Sequence, residues 1–426
     1  MELRFATQGL RPASCAQRFF VAFENHFGMN AAWWKRVVFV AVLLVACCRP
    51  GAAAVDQRIA VAARIARAAA GEYHTKALLV RVDVDGRPLY SAAFGESMAG
   101  VPATTGMHFR NGAMAFAYLG TMLAELADRK QLRLDDRLSK YFPQLPHASD
   151  VTLKNLANMT SGYADYVYQP EILQGMARDP FRNWTPDKLL HIAMAKPMMF
   201  APGTNWGYSH TNFVILGRVL ERVTGMPLAA ALQRYILTPM KLVNTHSIAT
   251  PAIPEPVLHT FSSERRDDLG IAPAVPFSEE TTYWNPSWTT IEGAVQVTDL
   301  ADWTRSMELI GSGALLSKAS AAAALGPQPD GFGHAESGCN ACRQLTAGFN
   351  YGLGVVLVGP WTVQNKAFAG CDASVGYLRS KRIAISVVAT YLPAAFDAHG
   401  NAAFATQKIF QQLAAALAPG TLPSQR

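Results

Sequence analysis

The sequence predicts an α+β fold: an antiparallel β-sheet flanked by N- and C-terminal helices, with an all-helical lobe inserted between the two parts of the sheet. Three observations carry this reading. A helical stretch followed at once by a hairpin comes early in the chain. The middle is dominated by apolar residues at helical spacing. The last third returns to strand composition and closes on a helix. Of the 426 residues, 50% are hydrophobic and 16% charged, which supports a sizeable core and argues against long disorder.

Taken in order, Asp56 to Ala70 places Ile59, Ala62, Ile65 and Ala66 on one helical side. Ala77 to Val84 alternates, Asp85-Gly86 is a two-residue hairpin signal, and Leu89 to Phe94 returns. An apolar helix opens at Phe109 and runs through Leu119, Met122, Leu123 and Leu126. A later one carries Val214, Leu216, Val219, Leu220 and Val223 and closes at Gly225. Residues 251–297 are rich in Pro and Trp, among them Pro254, Pro256, Trp284 and Trp288, and read as a long irregular segment over a cleft. Thr298 to Trp303 starts another helix with its own N-cap. Tyr351 to Val358, Trp361 to Phe368, Ser374 to Leu378 and Ile383 to Tyr391 have strand composition, with Gly359-Pro360 joining the first two. A closing helix spans about 402–417. The terminal helices are expected to pack together on one sheet face. Residues 55–426 then form one domain, its sheet lobe at about 56–100 and 311–417 and its helical lobe at about 101–310.

The formal charge of +7 is concentrated near the start. Residues 1–54 hold six basic residues against Glu2 and Glu24, which leaves about +3 for the rest. No Lys/Arg block follows, so nucleic acid is excluded as a partner. Trp33-Trp34-Lys35-Arg36 precedes the apolar run Val37 to Ala46, which is too short to span a bilayer but suits a secretory signal. Residues 1–54 therefore read as a leader with its true start at Met29. Two exits are open. Ala52-Ala53-Ala54 offers cleavage before Val55, and Leu44-Val45-Ala46-Cys47 offers a lipid anchor on Cys47. The expected location is the periplasm or cell envelope, with membrane contact only through the leader or that anchor.

Several stretches carry a more specific pattern. They are Phe109-Arg110-Asn111-Gly112-Ala113-Met114-Ala115-Phe116, Leu134-Asp135-Asp136 before Tyr141-Phe142-Pro143, Thr160-Ser161-Gly162, and Pro202-Gly203 before Tyr208-Ser209-His210. In this order, over about residues 56–417, the chain resembles the serine β-lactamase and penicillin-binding-protein superfamily. That resemblance implies a β-lactamase/transpeptidase-like fold. It also implies a site in which a Ser attacks a carbonyl, a Lys three residues on takes its proton, a Tyr relays protons, and backbone N–H groups hold the oxyanion.

Here the Ser position is Ala113 and the Lys position is Phe116, so both reacting side chains are gone. Tyr208 keeps the relay position, and His210 stands where Asn is usual. Counting back from Val375-Gly376-Tyr377 places the third motif at Gly370-Cys371-Asp372, or one shift away at Phe368-Ala369-Gly370, and neither register supplies the expected positive group. In the first register Asp372 faces the substrate's carboxylate and repels it. The backbone N–H groups of Ala113 and Ala373 are the expected oxyanion donors. Cys339, Cys342 and Cys371 read as one structural bridge plus one buried thiol in an oxidising compartment. His210, Cys371 and Asp372 are metal-ligand types, but no spacing signature supports zinc, and neither a metal nor a cofactor is expected.

The first functional expectation is an exported, non-hydrolytic pseudoenzyme of this superfamily. It would use its cleft or the Pro/Trp-rich segment to bind a cell-wall fragment, peptide or protein ligand. The alternative is a hydrolase of ester or amide substrates rebuilt around Tyr208, His210 and Cys371. A third is an envelope protein whose cleft is filled by Phe116.

Overall fold

In a computed structural model of the chain, residues 50–248 and 250–423 are described. The Met29 start and Cys47 lie outside them. Internal packing separates Met1–Gln57 from Arg58–Arg426, and the architecture below is that of the second unit.

The helices are α1 (Pro50–Glu72), α2 (Met114–Asp128), α3 (Leu153–Ala157), α4 (Pro170–Arg178), α5 (Pro186–Met194), α6 (His210–Thr224), α7 (Leu228–Leu232), α8 (Thr238–Met240), α9 (Leu300–Ser312), α10 (Lys318–Leu325) and α11 (Thr406–Leu417). The strands are β1 (Thr75–Val84), β2 (Arg87–Met98), β3 (Val101–Pro102), β4 (Phe109–Arg110), β5 (His246–Ser247), β6 (Phe261–Ser262), β7 (Glu279–Glu280), β8 (Gln296–Thr298), β9 (Asn350–Tyr351), β10 (Val356–Val358), β11 (Trp361–Phe368), β12 (Cys371–Leu378) and β13 (Ile383–Tyr391). Among the described residues, no helix is long and apolar enough to cross a membrane.

The main sheet runs β3-β2-β1-β13-β12-β11-β10-β9, with antiparallel neighbours throughout. β13 lies at its centre and is buried along its whole length. Its sequence is accordingly a near-continuous apolar run, because a strand covered on both faces has no solvent side to alternate toward. One face carries Ile385, Val387 and Ala389 into a core with Ala62, Ala66 and Ala69 of α1 and Ile409, Phe410 and Leu413 of α11. The other face carries Ala384 and Val388 into the larger core built on α2 and α9, where Thr304 of α9 donates to Ser386 Oγ at 2.7 Å. The antiparallel sheet, the flanking terminal helices and the inserted helices are those expected. The lobe boundary moves, because α9 lies on the sheet rather than out in the helical lobe.

α2 is the hub. Twelve of its fifteen residues are buried, so it is apolar all round rather than amphipathic. The helices around it are set by local chemistry. Thr152 and Asn155 form a reciprocal capping box on α3, Thr185 caps α5, and Asp299 caps α9 by accepting from Asp302 N at 2.7 Å. α6 closes at Gly225 in the left-handed region.

Four elements differ from the sequence reading. The helix expected to open at Phe109 starts at Met114, because Phe109–Arg110 pairs with β8 as strand β4. The strand expected over 351–358 is two strands, because Gly352-Leu353-Gly354 turns inward to dock on α10 and the end of α3, with Leu353 N on Ala324 O at 2.8 Å and Gly354 N on Ala157 O at 2.9 Å. β12 starts at Cys371, three residues early. The closing helix starts at Thr406 rather than 402, where the Asp372 carboxylate takes the Thr406 N–H.

Candidate functional site

The start of α2 is held from two sides. Asn111 exchanges backbone and side-chain hydrogen bonds with Gln296 of β8, at 2.6 to 3.0 Å. Gly112 lies against β11, and a Cβ built on it would meet the Lys366 side chain at 2.7 Å. Ala113 is then the N-cap residue of α2 and supplies no side-chain capping bond. One turn on, Phe116 is 2% exposed. Its ring stacks on Phe213 at 4.1 Å and meets Tyr208 at 5.9 Å and His210 at 5.6 Å. The space beside Tyr208 that a lysine would use is therefore packed with aromatic carbon.

Tyr208 and His210 come together, with ring centroids 5.2 Å apart. Burial pushes the Tyr208 phenol well above its ordinary value, which disfavours the phenolate that a proton-accepting role needs. His210 opens α6 and is held by a residue the sequence reading missed: its Nδ1 lies 2.9 Å from Asp165 Oδ2, whose other oxygen accepts from Val167 N at 3.1 Å. Asp165 caps the short turn at Tyr166–Tyr168. Its position just after Thr160-Ser161-Gly162 was the available signal, but 45 residues separate the partners. The Ser209 hydroxyl is sealed inside without a hydrogen-bond partner among the described residues, which argues against it as a nucleophile.

The third motif requires correction. The strand beside the start of α2 is β11, not β12, and the positive group there is Lys366, 6% exposed. Gly370 sits in the β11–β12 turn. Cys371 begins β12, fully buried, beside the Lys366 ammonium; burial pushes its thiol up, although Lys366 pulls the other way. A thiol so placed is a poor nucleophile, and Cys371 has no ring or hydrogen-bond contact with His210 among the described residues. Asp372 points to the opposite sheet face, where Tyr391 donates to it at 2.5 Å and Thr406 Oγ1 at 2.6 Å. It therefore neither repels a ligand in the cleft nor joins His210 and Cys371 as a ligand set. Ala373 lies inside β12, opposite Lys366 on one side and Val388 on the other. Its N–H belongs to the ladder and is not free to hold an oxyanion. Of the expected donor pair, only Ala113 remains at the site.

Asp372 instead ties the last helix to the sheet. Asp372→Ala leaves the Tyr391 O–H and the Thr406 N–H without their acceptor inside the protein, the Thr406 hydroxyl keeping Ser374 Oγ at 3.0 Å, and is expected to cost about 3 kcal/mol, with Asp372→Asn costing about 1. Urea unfolding midpoints read this difference, and equal midpoints for the two variants would dismiss the tie.

The Pro/Trp-rich segment does reach the site. Trp288 lies 6.1 Å from the His210 ring and 5.5 Å from Phe368, Trp284 meets Phe368 at 6.2 Å, and Thr281 donates to Ala369 O at 2.5 Å. On the far side of Tyr208, Cys339 and Cys342 form a disulfide, and Cys342 bridges Gly207 through the backbone. Among the described residues the arrangement retains a cation, Lys366, and a His–Asp pair beside an aromatic wall, without a Ser–Lys couple.

A family model described as Beta-lactamase matches residues 62–408. The chain is 30% identical over 190 residues to penicillin-binding protein 4 of Amycolatopsis lactamdurans, covering 43% of this chain and 47% of that protein. It is 29% identical over 171 residues to esterase EstB of Burkholderia gladioli, covering 36% of this chain and 43% of that protein. The matches thus span just under half the length of these curated relatives. In fold it is similar to a D-stereospecific amidohydrolase from Streptomyces sp., with a TM-score of 0.66 and 22% identity over 85% of this chain and 99% of that one. It is also similar to an octameric penicillin-binding protein homologue from Pyrococcus abyssi, with a TM-score of 0.64 and 19% identity over 85% and 78%.

Proposed function

Because the chain belongs to the beta-lactamase family, whose fold it shares, we propose that it is an exported member that binds a ligand and does not hydrolyse it. The ligand is a cell-wall fragment, a peptide or a protein segment, met at the cleft or along the Pro/Trp-rich segment. The observation that carries this is the seat of Phe116. Acyl transfer in this fold needs a hydroxyl at position 113 and an amine at 116. Ala113 offers neither oxygen nor cap, and the Phe116 ring is stacked at 4.1 Å on Phe213. Lys366 supports the same reading, since it leaves the site able to attract an anionic group without acylating.

The test is intact mass after incubation with a fluorescent penicillin and a broad serine/cysteine hydrolase probe, on protein recovered from the envelope of a bacterial host expressing the full chain. The expected mass carries no probe, and begins at Val55 or at a lipid-bearing Cys47. A probe adduct on any Ser, on Tyr208 or on Cys371 overturns the non-hydrolytic reading. A mass retaining residues upstream of Met29 overturns the leader.

A second reading is supported by the His210–Asp165 pair at 2.9 Å beside Tyr208. A hydrolase rebuilt on these groups would act on esters or amides, in keeping with the names of the esterase and amidohydrolase relatives. It would lose turnover in Tyr208→Phe, and Cys371 would have no part in it.

A further inference from the structure

A cavity of about 170 Å³ opens between the loops at 163–169, 199–200, 207–208 and 338–341. Its wall includes Tyr163, Tyr168, Phe200 and Tyr208, and the one charged residue that lines it is Asp165. No lysine, arginine or histidine is among the lining residues. Asp165 accepts from Val167 N and from His210, and no Lys or Arg pairs with it among the described residues. Arg343, the cation in electrostatic reach of Tyr168, spreads its guanidinium over Trp206 and Phe349, at 5.9 and 4.8 Å from the ring centroids.

We propose that this cavity is a seat for a small organic ammonium group, a primary or methylated amine. Four aromatic side chains line the cavity, and aromatic rings attract cations; the Asp165 carboxylate, held by His210 and by no Lys or Arg among the described residues, adds an anionic acceptor at the wall. The combination favours a cation over an anion or a neutral group of equal size. The volume of about 170 Å³ equals that of about six waters at ~30 Å³ each, room for an ammonium carrying up to four carbons. The wall is also fixed in advance. The Cys339–Cys342 bridge and the backbone pairing of Cys342 with Gly207 hold the 338–341 loop in place, so little ordering remains to be done on binding. This names the ligand class of the binding reading and rests on it.

The full chain is titrated with tetramethylammonium, methylammonium, tert-butanol and acetate by ligand-observed NMR. The ammonium ions are expected to saturate, with tert-butanol about tenfold weaker and acetate without effect. Asp165→Asn is expected to weaken the ammonium ions about tenfold. Tyr168→Ala should weaken them about threefold; that residue is 45% exposed, so the variant keeps the fold. If Asp165→Asn fails to fold, the tert-butanol comparison and Tyr168→Ala decide. Equal binding of tert-butanol, or full affinity in Tyr168→Ala together with Asp165→Asn where it folds, overturns the proposal. So does an absence of saturation by either ammonium ion. A parallel titration with soluble cell-wall fragments separates the two ideas: fragments that bind without displacing, or being displaced by, an ammonium ion leave the binding reading standing and remove this site.

Discussion

Phe116→Lys is expected to destabilise the protein by about 3–5 kcal/mol, although it restores the residue that the fold's chemistry calls for. Two effects add. The stacked contact with Phe213 at 4.1 Å, the tilted contact with Tyr208 and the edge contact with His210 are lost. An ammonium then enters a place that is 2% exposed. The carboxylate on the far side of His210, Asp165, already takes two hydrogen bonds and is not free to turn. A buried charge without a partner costs several kcal/mol or loses its proton. Phe116→Leu, which keeps an apolar group of nearly the same volume, should cost about 1 kcal/mol. Ala113→Ser should leave stability within about 1 kcal/mol of the parent and still take no penicillin, because Phe116 supplies no amine to take the proton of the hydroxyl. Chemical denaturation of the three variants gives the ranking. A loss under about 1 kcal/mol for Phe116→Lys would mean that a lysine socket survives at this position, and the filled-site reading would fall.

Positions 113 and 116 were legible in the sequence because they depend on one helix. Residues three apart share a face whatever the rest of the chain does, so reading Ala and Phe there was enough to know that a hydroxyl and an amine were missing from one place. β11 and β13 were legible for a related reason: strand composition is local, and their observed bounds, Trp361–Phe368 and Ile383–Tyr391, match the sequence reading. Lys366 was missed because its place is not local. It depends on which strand of the β11–β12 hairpin faces α2, and on how many residues the turn at Ala369-Gly370 consumes. Register across a hairpin is set by its turn, and a small slip carries a residue to another face or another strand. Counting back from Gly376 slid the motif onto β12. There Cys371, Asp372 and Ala373 belong to the buried interior of the sheet. Asp165 was missed because nothing in a sequence announces that a capping carboxylate will meet a histidine 45 residues later. The split of the 351–358 strand is a third case. Gly352-Leu353-Gly354 has the residues of a turn, but only the neighbouring helix shows why the chain bends there.

That bend carries the second large effect. Gly354→Ala is expected to cost at least about 3 kcal/mol. Gly354 has φ +76, and a Cβ there would lie 2.1 Å from the Phe116 carbonyl oxygen and 2.7 Å from its carbon. Both are backbone atoms of α2, so no rotamer change relieves the overlap. Either the helix or the turn must move, and moving the turn breaks the bonds from Gly354 N to Ala157 O and from Leu353 N to Ala324 O. Gly100→Ala is the control. Its φ is +75 but nothing lies within 4 Å of the added atom, so it should show only the left-handed penalty of about 1 kcal/mol. The difference between the two urea midpoints therefore isolates the backbone approach from the backbone conformation. Because the atom struck is the carbonyl of Phe116, the same variant should also loosen the aromatic stack. Hydrogen exchange at the amides of the first two turns of α2 should accelerate in Gly354→Ala and stay at the parent rate in Gly100→Ala. Equal midpoints and unchanged exchange would mean that the 352–355 turn can detach from α2 without loss, and that the packing around Phe116 is held by the helical lobe alone.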